Sequence, residues 1–510
     1  MSNNLETSAV ENLTTKVTQK TGSRYNISVP LTNGRRLVFN SMTMAMAVWE
    51  KEDVDAYEAI IVGEEIEYNR FRDLLKGGFI VAKDIDEVAG LKQMYDSHRF
   101  DERNLMLTIA PTMACNFGCD YCFQGANKPS ETMGQEVQDA IVALVERGAT
   151  NGVKSVGVTW YGGEPLLRLN VIEALSDRMI EVCNRTGMKY NASVVTNGYK
   201  LTLEAARALH KRGVTWIQIT LDGTPEYHDT RRYLLGGKGS FEKIIDNLKA
   251  IVDEVPIAYT IRVNIDSRNF NDIHTLIDYL SDQGLAKKRN FNMYFAPVEA
   301  TTEGCHVVKD VTMTKNSYGQ LEADLYEHGL RVGLTGIPQP PRFHGTCGAV
   351  RPAALVILPT GDLHKCWDTV SWPDRKVGTI FKLEELRGNA LNIKWLEWTP
   401  FDNHTCKNCK LLPNCAGACA YKFIHSETTR GEAAVLPCPS WKYNIKERLV
   451  QRAVAKGTIK NDDYKAADIK TVPSELCADD VIAGGLALPS AEMERYYAEQ
   501  KKIRLPVLSG

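Results

Sequence analysis

The 510-residue chain has no run of about 18 apolar residues, the length a helix needs to cross a hydrocarbon core, so no membrane span is expected. It also has almost no net charge. Its 61 basic residues against 63 acidic ones leave −2, too weak a field to hold a nucleic acid or an anionic lipid surface. The opening stretch MSNNLETSAVENLTTK lacks the apolar core of an export signal, and a cytoplasmic protein is expected. Thirteen cysteines, an odd number, in a chain without such a signal argue against a disulfide framework. Internal repeats and low-complexity tracts are lacking too. At 44% apolar and 24% charged residues, the composition is that of a globular chain able to bury a core.

Ten of the thirteen cysteines fall into tight spacings, a distribution that reads as metal binding. The elements around them divide the chain into four parts. Over residues 1–100, YNISVPL and RRLVFN flank TNG as a β-hairpin, and helical patterns follow at Met44–Ile61 and Asn69–Leu75. This small α/β module is either a winged-helix-like unit that takes a leader peptide by strand addition, or a cap packed on the main domain. Over 101–335, strands and helices alternate: MLTIAP, SVGVTWYGG, NASVVTNG, WIQITLDG, AYTIRVNID and NFNMYFAPV are separated by helical segments. Such alternation predicts an α/β fold with a parallel sheet, an open partial (β/α)6 TIM-like barrel whose site lies at the C-terminal ends of the strands. Residues 336–445 break into short segments, prolines and clustered cysteines, where ligation replaces core size. A helical stretch, NIKERLVQRAVAKG, opens the last part, 446–510, and leads into a tail.

ACNFGCDYCFQ sets Cys115, Cys119 and Cys122 in a C-x3-C-x2-C spacing just after the first barrel strand. Three thiolates on one short loop can hold three corners of a four-iron cubane and leave one iron open to a ligand. A zinc knuckle is the plainer alternative. With Tyr121 just before the third cysteine, the segment resembles the signature of radical S-adenosylmethionine (radical SAM) enzymes. The resemblance implies that the open iron binds the amine and carboxylate of S-adenosylmethionine, which one electron cleaves to a 5′-deoxyadenosyl radical. Gly162, Gly163 and Glu164, in WYGGEP after the second strand, are similar to the family's GGE motif, which receives the methionyl amine. Glycines admit close backbone approach, and a carboxylate suits an ammonium. Thr196 and Asn197 at the end of the third strand and Thr220 at the end of the fourth stand where the family contacts ribose and carboxylate groups. The stretch HDTRR that follows Asp222 is similar to the family's peptide-modifying branch.

Downstream, Cys347 is followed by thirteen residues, Gly361, four residues and Cys366, then Cys406-x2-Cys409-x5-Cys415-x3-Cys419 and Cys438. This pattern resembles the seven-cysteine SPASM domain. The resemblance implies one auxiliary four-iron cluster on Cys347, Cys366 and Cys419 and a second on Cys406, Cys409, Cys415 and Cys438, making three clusters in all. The fourth corner of the first auxiliary cluster is left open, or is filled by Cys305 or His344. Cys183 lies on the apolar face of a helix and reads as core, and Cys477 has no metal-ligand neighbour.

The implied function is a peptide maturase that abstracts hydrogen from a ribosomally made precursor, forming a carbon–carbon or thioether crosslink or excising tyramine from the backbone. Its partners would be the precursor peptide, an external electron donor and, in some systems, a separate leader-binding protein. Two alternatives stand beside this one: formylglycine formation as in anaerobic sulfatase maturases, and radical dehydrogenation of a small molecule. Sulfatase maturases carry an aspartate directly after the second SPASM cysteine. Here that place holds Trp367, and Asp368, one residue later, is the candidate base.

Overall fold

Alternation in NISVP, where Ile27 and Val29 point inward, makes β2 (Asn26–Pro30) a two-faced strand, preceded by the short β1 (Lys20–Gly22). The computed structural model describes residues 20–64, 66, 68–125, 128–334, 336, 341–343, 346–431 and 437–477. His344 and the expected tail after residue 477 lie outside them. Asn33, in the left-handed region at φ 60°, ψ 30°, turns β2 back into β3 (Arg36–Asn40), and the hairpin forms as its TNG signal predicts. The helical pattern over Met44–Ile61 does not form as one element. Met46–Trp49 pairs instead with β3 as β4, because MAVW suits a sheet edge, and the helix begins at Lys51 behind a Glu50–Asp53 capping box. A second helix, Tyr68–Lys76, and β5 (Ile80–Ala82), paired antiparallel with β1, complete the module before the helix Glu87–Arg99.

The two faces of this small sheet meet different partners. Val38 and Trp49 pack with Val54, Ile60, Phe71 and Phe79 of the module itself. Ile27, Val29, Leu37 and Phe39 pack against Ile445, Leu449, Val450 and Ala453 of the helix Trp441–Ala455, and against Cys409 and Leu411. The module therefore caps the cysteine-rich half of the chain rather than the barrel, and the helix beneath it runs across residue 445.

The barrel strands appear where the alternating pattern puts them: β6 (Asn104–Ile109), β7 (Ser155–Trp160), β8 (Lys189–Thr196), β9 (Val214–Thr220), β10 (Ala258–Ile265) and β11 (Phe291–Pro297). Each pairs in parallel with the next in chain order. Helices between them bury one apolar stripe each; Phe241–Ile251, for example, seats Ile244, Ile245, Leu248 and Ile251 in the core. The sheet does not stop at six strands. β12 (Ala354–Ile357) adds in parallel to the free side of β6, and β13 (Asp362–His364) and β14 (Gly378–Thr379) follow antiparallel, giving nine strands in the order β11-β10-β9-β8-β7-β6-β12-β13-β14. The first part of the cysteine-rich segment is thus built onto the barrel's own sheet, and this carries Cys366 and Asp368 to the barrel's mouth. Among the described residues no helix is long and apolar enough to cross a membrane.

Candidate functional site

A strand that ends at the C-terminal rim of a parallel sheet presents its last inward side chains and the following loop to the same space. Here those ends line one cavity of about 460 Å³. Cys115, Cys119, Tyr121 and Cys122 follow β6, Gly162–Glu164 follow β7, and Thr196 and Asn197 close β8. Thr220 closes β9, and opposite them stand Trp367, Asp368 and Cys419 of the cysteine-rich segment. The cavity brings together every residue expected from the first motif but, of those expected downstream, only Cys419 and Asp368; the other six SPASM-pattern cysteines do not line it.

Backbone approach explains the two glycines. A Cβ on Gly162, at φ 142°, would lie 2.3 Å from the Thr112 carbonyl oxygen, and one on Gly163 would lie 2.2 Å from the carbonyl oxygens of Met113 and Ala114. The glycines thus let the cysteine loop sit directly on the end of β7. The Gly163 and Glu164 amides donate to Thr112 and Ala114 carbonyls at 3.2 and 2.8 Å, and Gln124 Nε2 donates to the Gly162 carbonyl at 3.1 Å. Glu164 is buried, and its carboxylate accepts from Leu166 N at 3.0 Å, Thr196 Oγ1 at 2.7 Å and Asn197 N at 2.8 Å. Burial lifts its pKa, with these bonds opposing the rise. Thr196 and Asn197 therefore orient Glu164 as well as line the cavity.

Tyr121 is held from several sides. Its hydroxyl donates to the fully buried Asp222 and accepts from Arg232 Nη1 at 2.6 Å and Asn264 Nδ2 at 3.3 Å. The Arg231 guanidinium sits 5.2 Å from the Tyr121 ring centroid. Asp222 and both arginines come from the stretch singled out as peptide-maturase-like, and that stretch also clamps the cysteine loop: Gly118 N donates to Tyr233 O at 3.0 Å, and Leu235 N to Asn116 O at 3.0 Å.

Sequence reading missed Tyr161, Gln218, Arg262, Asn264, Glu299 and Lys422, all of which line the cavity. For two pairs a signal existed. Gln218 and Thr220 in β9, and Arg262 and Asn264 in β10, are polar residues two apart in otherwise apolar strands, the pattern of one face turned toward a polar site. Gln218, Arg262 and Asn264 join one network through Tyr294, whose hydroxyl donates to Gln218 Oε1 at 2.7 Å and accepts from Arg262 Nη1 at 3.3 Å, while Arg262 Nε donates to Asn264 Oδ1 at 2.8 Å. An aromatic wall completes the site: the Trp367 and Tyr161 rings lie 4.1 Å apart, with Phe123 at 6.5 Å from Tyr161 and 6.2 Å from Trp367.

The downstream cysteines have different neighbours. Cys366 feels the charges of Asp368, Cys347 and Cys419, whereas Cys406 feels those of Cys415, Cys438 and Cys409. Cys305 joins neither; its thiol donates to the Thr302 carbonyl at 3.3 Å and packs with Val298, Ala300 and Val308. Cys183 is core, and Cys477 packs beside Cys409, its thiol donating to the Thr405 carbonyl at 3.3 Å. No disulfide joins any of the thirteen. Burial pushes the Cys119 thiol up to about 11 and those of Cys415 and Cys419 to about 12, so a thiolate at these sites requires a cation to replace water. Among the described residues no three such groups converge tightly enough for a single metal ion. A cubane spreads its ligands wider than one ion does, and clustered thiols are the donor set that suits it. Asp368 is pushed up to about 6, chiefly by burial, with Lys422 opposing.

These features describe a cavity at the strand ends of the sheet, facing a cysteine-rich segment. Residues 109–280 match the model of the radical SAM superfamily. The radical SAM cyclopropyl synthase TigE of Paramaledivibacter caminithermalis is 23% identical over 380 residues, covering 68% of this chain and 75% of TigE. A cysteine-type anaerobic sulfatase-maturating enzyme of Clostridium novyi is 22% identical over 350 residues, 62% of this chain and 88% of that enzyme. The solved structure of native anSMEcpe with bound AdoMet and Cp18Cys peptide shares the fold, with a TM-score of 0.54 at 18% identity over 70% of this chain and all of that one. The chain carries a radical SAM domain, and its relatives are enzymes of radical chemistry.

Proposed function

We propose that this enzyme modifies a peptide, binding S-adenosylmethionine at the β6–β9 rim and the peptide's reacting residue between that rim and the Trp367–Asp368 segment. The observation that carries the reading is the single cavity lined at one end by Cys115, Cys119, Cys122 and Gly162–Glu164, and at the other by Asp368 and Cys419. Cys115, Cys119 and Cys122 would hold the cluster that supplies the electron for cofactor cleavage and hence a 5′-deoxyadenosyl radical. Gly162, Gly163 and Glu164 would seat the methionyl amine, Thr196, Asn197 and Thr220 the rest of the cofactor, and Tyr121 its adenosyl side. Phe123, Tyr161 and Trp367 exclude water from the space where a substrate C–H bond must lie. Asp368 stands where it can take the proton that leaves after hydrogen abstraction. Cys347, Cys366 and Cys419, and separately Cys406, Cys409, Cys415 and Cys438, would hold two auxiliary clusters that accept the remaining electron, for three clusters in all.

Within this reading the product is a carbon–carbon or thioether crosslink, or a peptide shortened by tyramine. The edge strand β4 of the N-terminal sheet is suited to take a leader peptide by strand addition. The test is anaerobic co-expression with each short peptide encoded beside the gene, followed by mass measurement. Loss of two hydrogens would establish a crosslink, and loss of a larger fragment backbone excision. No change on any candidate, with epimerisation excluded in heavy water, would overturn the peptide reading. One observation favours a second reading: Asp368 reaches the cavity although Trp367 holds the place that aspartate fills in sulfatase maturases. An aldehyde-reactive product from a sulfatase-motif peptide would establish formylglycine formation instead.

A further inference from the structure

Glu299, two residues beyond β11, lines the cavity and binds two lysines from different parts of the chain. Lys422 Nζ donates to its Oε1, and Lys315 Nζ lies 3.9 Å from the same oxygen. Lys422 is only 4% exposed and belongs to the short helix Ala420–Ile424, whose first turn is tied to a cysteine of the first auxiliary set, Lys422 N donating to Cys419 O at 3.2 Å. Lys315 opens the helix Lys315–Val332 and donates to the carbonyl of Cys438, of the second set, at 3.4 Å. One carboxylate at the substrate cavity thus holds a cation beside each auxiliary group.

A buried ion pair is weak evidence for a stabilising role, because the desolvation of both ions offsets their attraction. What it does supply is a fixed field in a low-dielectric space. We propose that Glu299 is a positioning residue that holds Lys422 against Cys419, so that the paired charges set the reduction potential of the cluster assigned to Cys347, Cys366 and Cys419. The inference rests on that cluster assignment. The one electron left on the substrate, after a hydrogen atom has gone to the cofactor radical and a proton to Asp368, would add one negative charge to the accepting group. The Lys422 ammonium favours that added charge, and the Glu299 carboxylate paired with it moderates the effect. Net charge around a cluster is one of the levers that tune its potential.

The experiment is an anaerobic redox titration of the reconstituted holoenzyme followed by electron paramagnetic resonance, with iron and sulfide counted in every variant. Glu299→Gln is expected to move the midpoint of this auxiliary signal upward, Lys422→Met to move it downward, and Lys422→Arg to leave it near that of the parent enzyme. Iron content in Glu299→Gln is expected to match the parent. Shifts of the same sign, no shift at full iron content, or loss of iron from Glu299→Gln would overturn the proposal. Cys366→Ala separates the two layers: if it keeps the full iron count, the cluster assignment fails and takes the proposal with it. If it loses iron while the charge variants stay unshifted, only the role of Glu299 falls.

Discussion

The two walls of the cavity are built by different means. On the barrel side each group stands at the end of a hydrogen-bonded parallel strand, over helices whose core positions are fully buried, and Glu164 is held by three hydrogen bonds. On the cysteine-rich side, the described residues between Cys347 and Cys438 fold into strands of two to four residues and helices of no more than eight. Such short pieces bury little surface each, and on the proposed reading ligation by their cysteines makes up for the small core. The barrel wall is preorganised by its sheet, whereas on the proposed reading the opposite wall would depend on the clusters its cysteines hold.

The sharpest way to break this comparison is Cys115→Ala, which is expected to abolish 5′-deoxyadenosine formation outright, measured chromatographically after reduction, because three ligands are the minimum for a cluster with an open iron. Detectable turnover in that variant would remove the assignment of the first motif. Gly163→Ala tests the preorganised wall without touching a thiol. The added methyl would lie 2.2 Å from two carbonyl oxygens and must displace the cysteine loop, with an expected fall in cofactor cleavage on the order of 10²-fold. An unimpaired variant would mean the loop has room the structure does not show. Across the cavity, Cys415→Ala is expected to leave part of the cofactor cleavage intact while product disappears, a split that reads the two walls separately. The mildest test needs no substitution. Iron removal is expected to speed amide hydrogen exchange in residues 400–431 while β6–β11 stay protected; equal loss in both regions would make the barrel as dependent on metal as its partner.

Much of the barrel wall could be read from the chain because its signals are local. Periodicity of two in AYTIRVNID and of 3.6 in the helices places each element, and a spacing such as C-x3-C-x2-C needs only one loop to have meaning. The hairpin at Thr32–Gly34 was legible for the same reason. Met46–Trp49 was not, since a short apolar run suits either a helix or an edge strand, and the choice was made by the neighbouring β3. The cysteine sets are in the spacing, yet nothing local says that β12–β14 would join the free side of β6 and so swing Asp368 into the cavity.

The amino-acid sequence by itself determined the order of the six parallel strands, the three-cysteine loop and the glycines beneath it, because each depends on residues close together along the chain. Only the tertiary structure decided that Arg232 and Asp222 would clamp Tyr121, and that the N-terminal sheet would cap the helix Trp441–Ala455 rather than the barrel. It alone decided, too, that Glu299 would reach lysines 16 and 123 residues away. Those contacts join segments whose sequences carry no mark of one another; they arise because the parallel sheet brings distant strand ends to one rim, where buried charges must find partners.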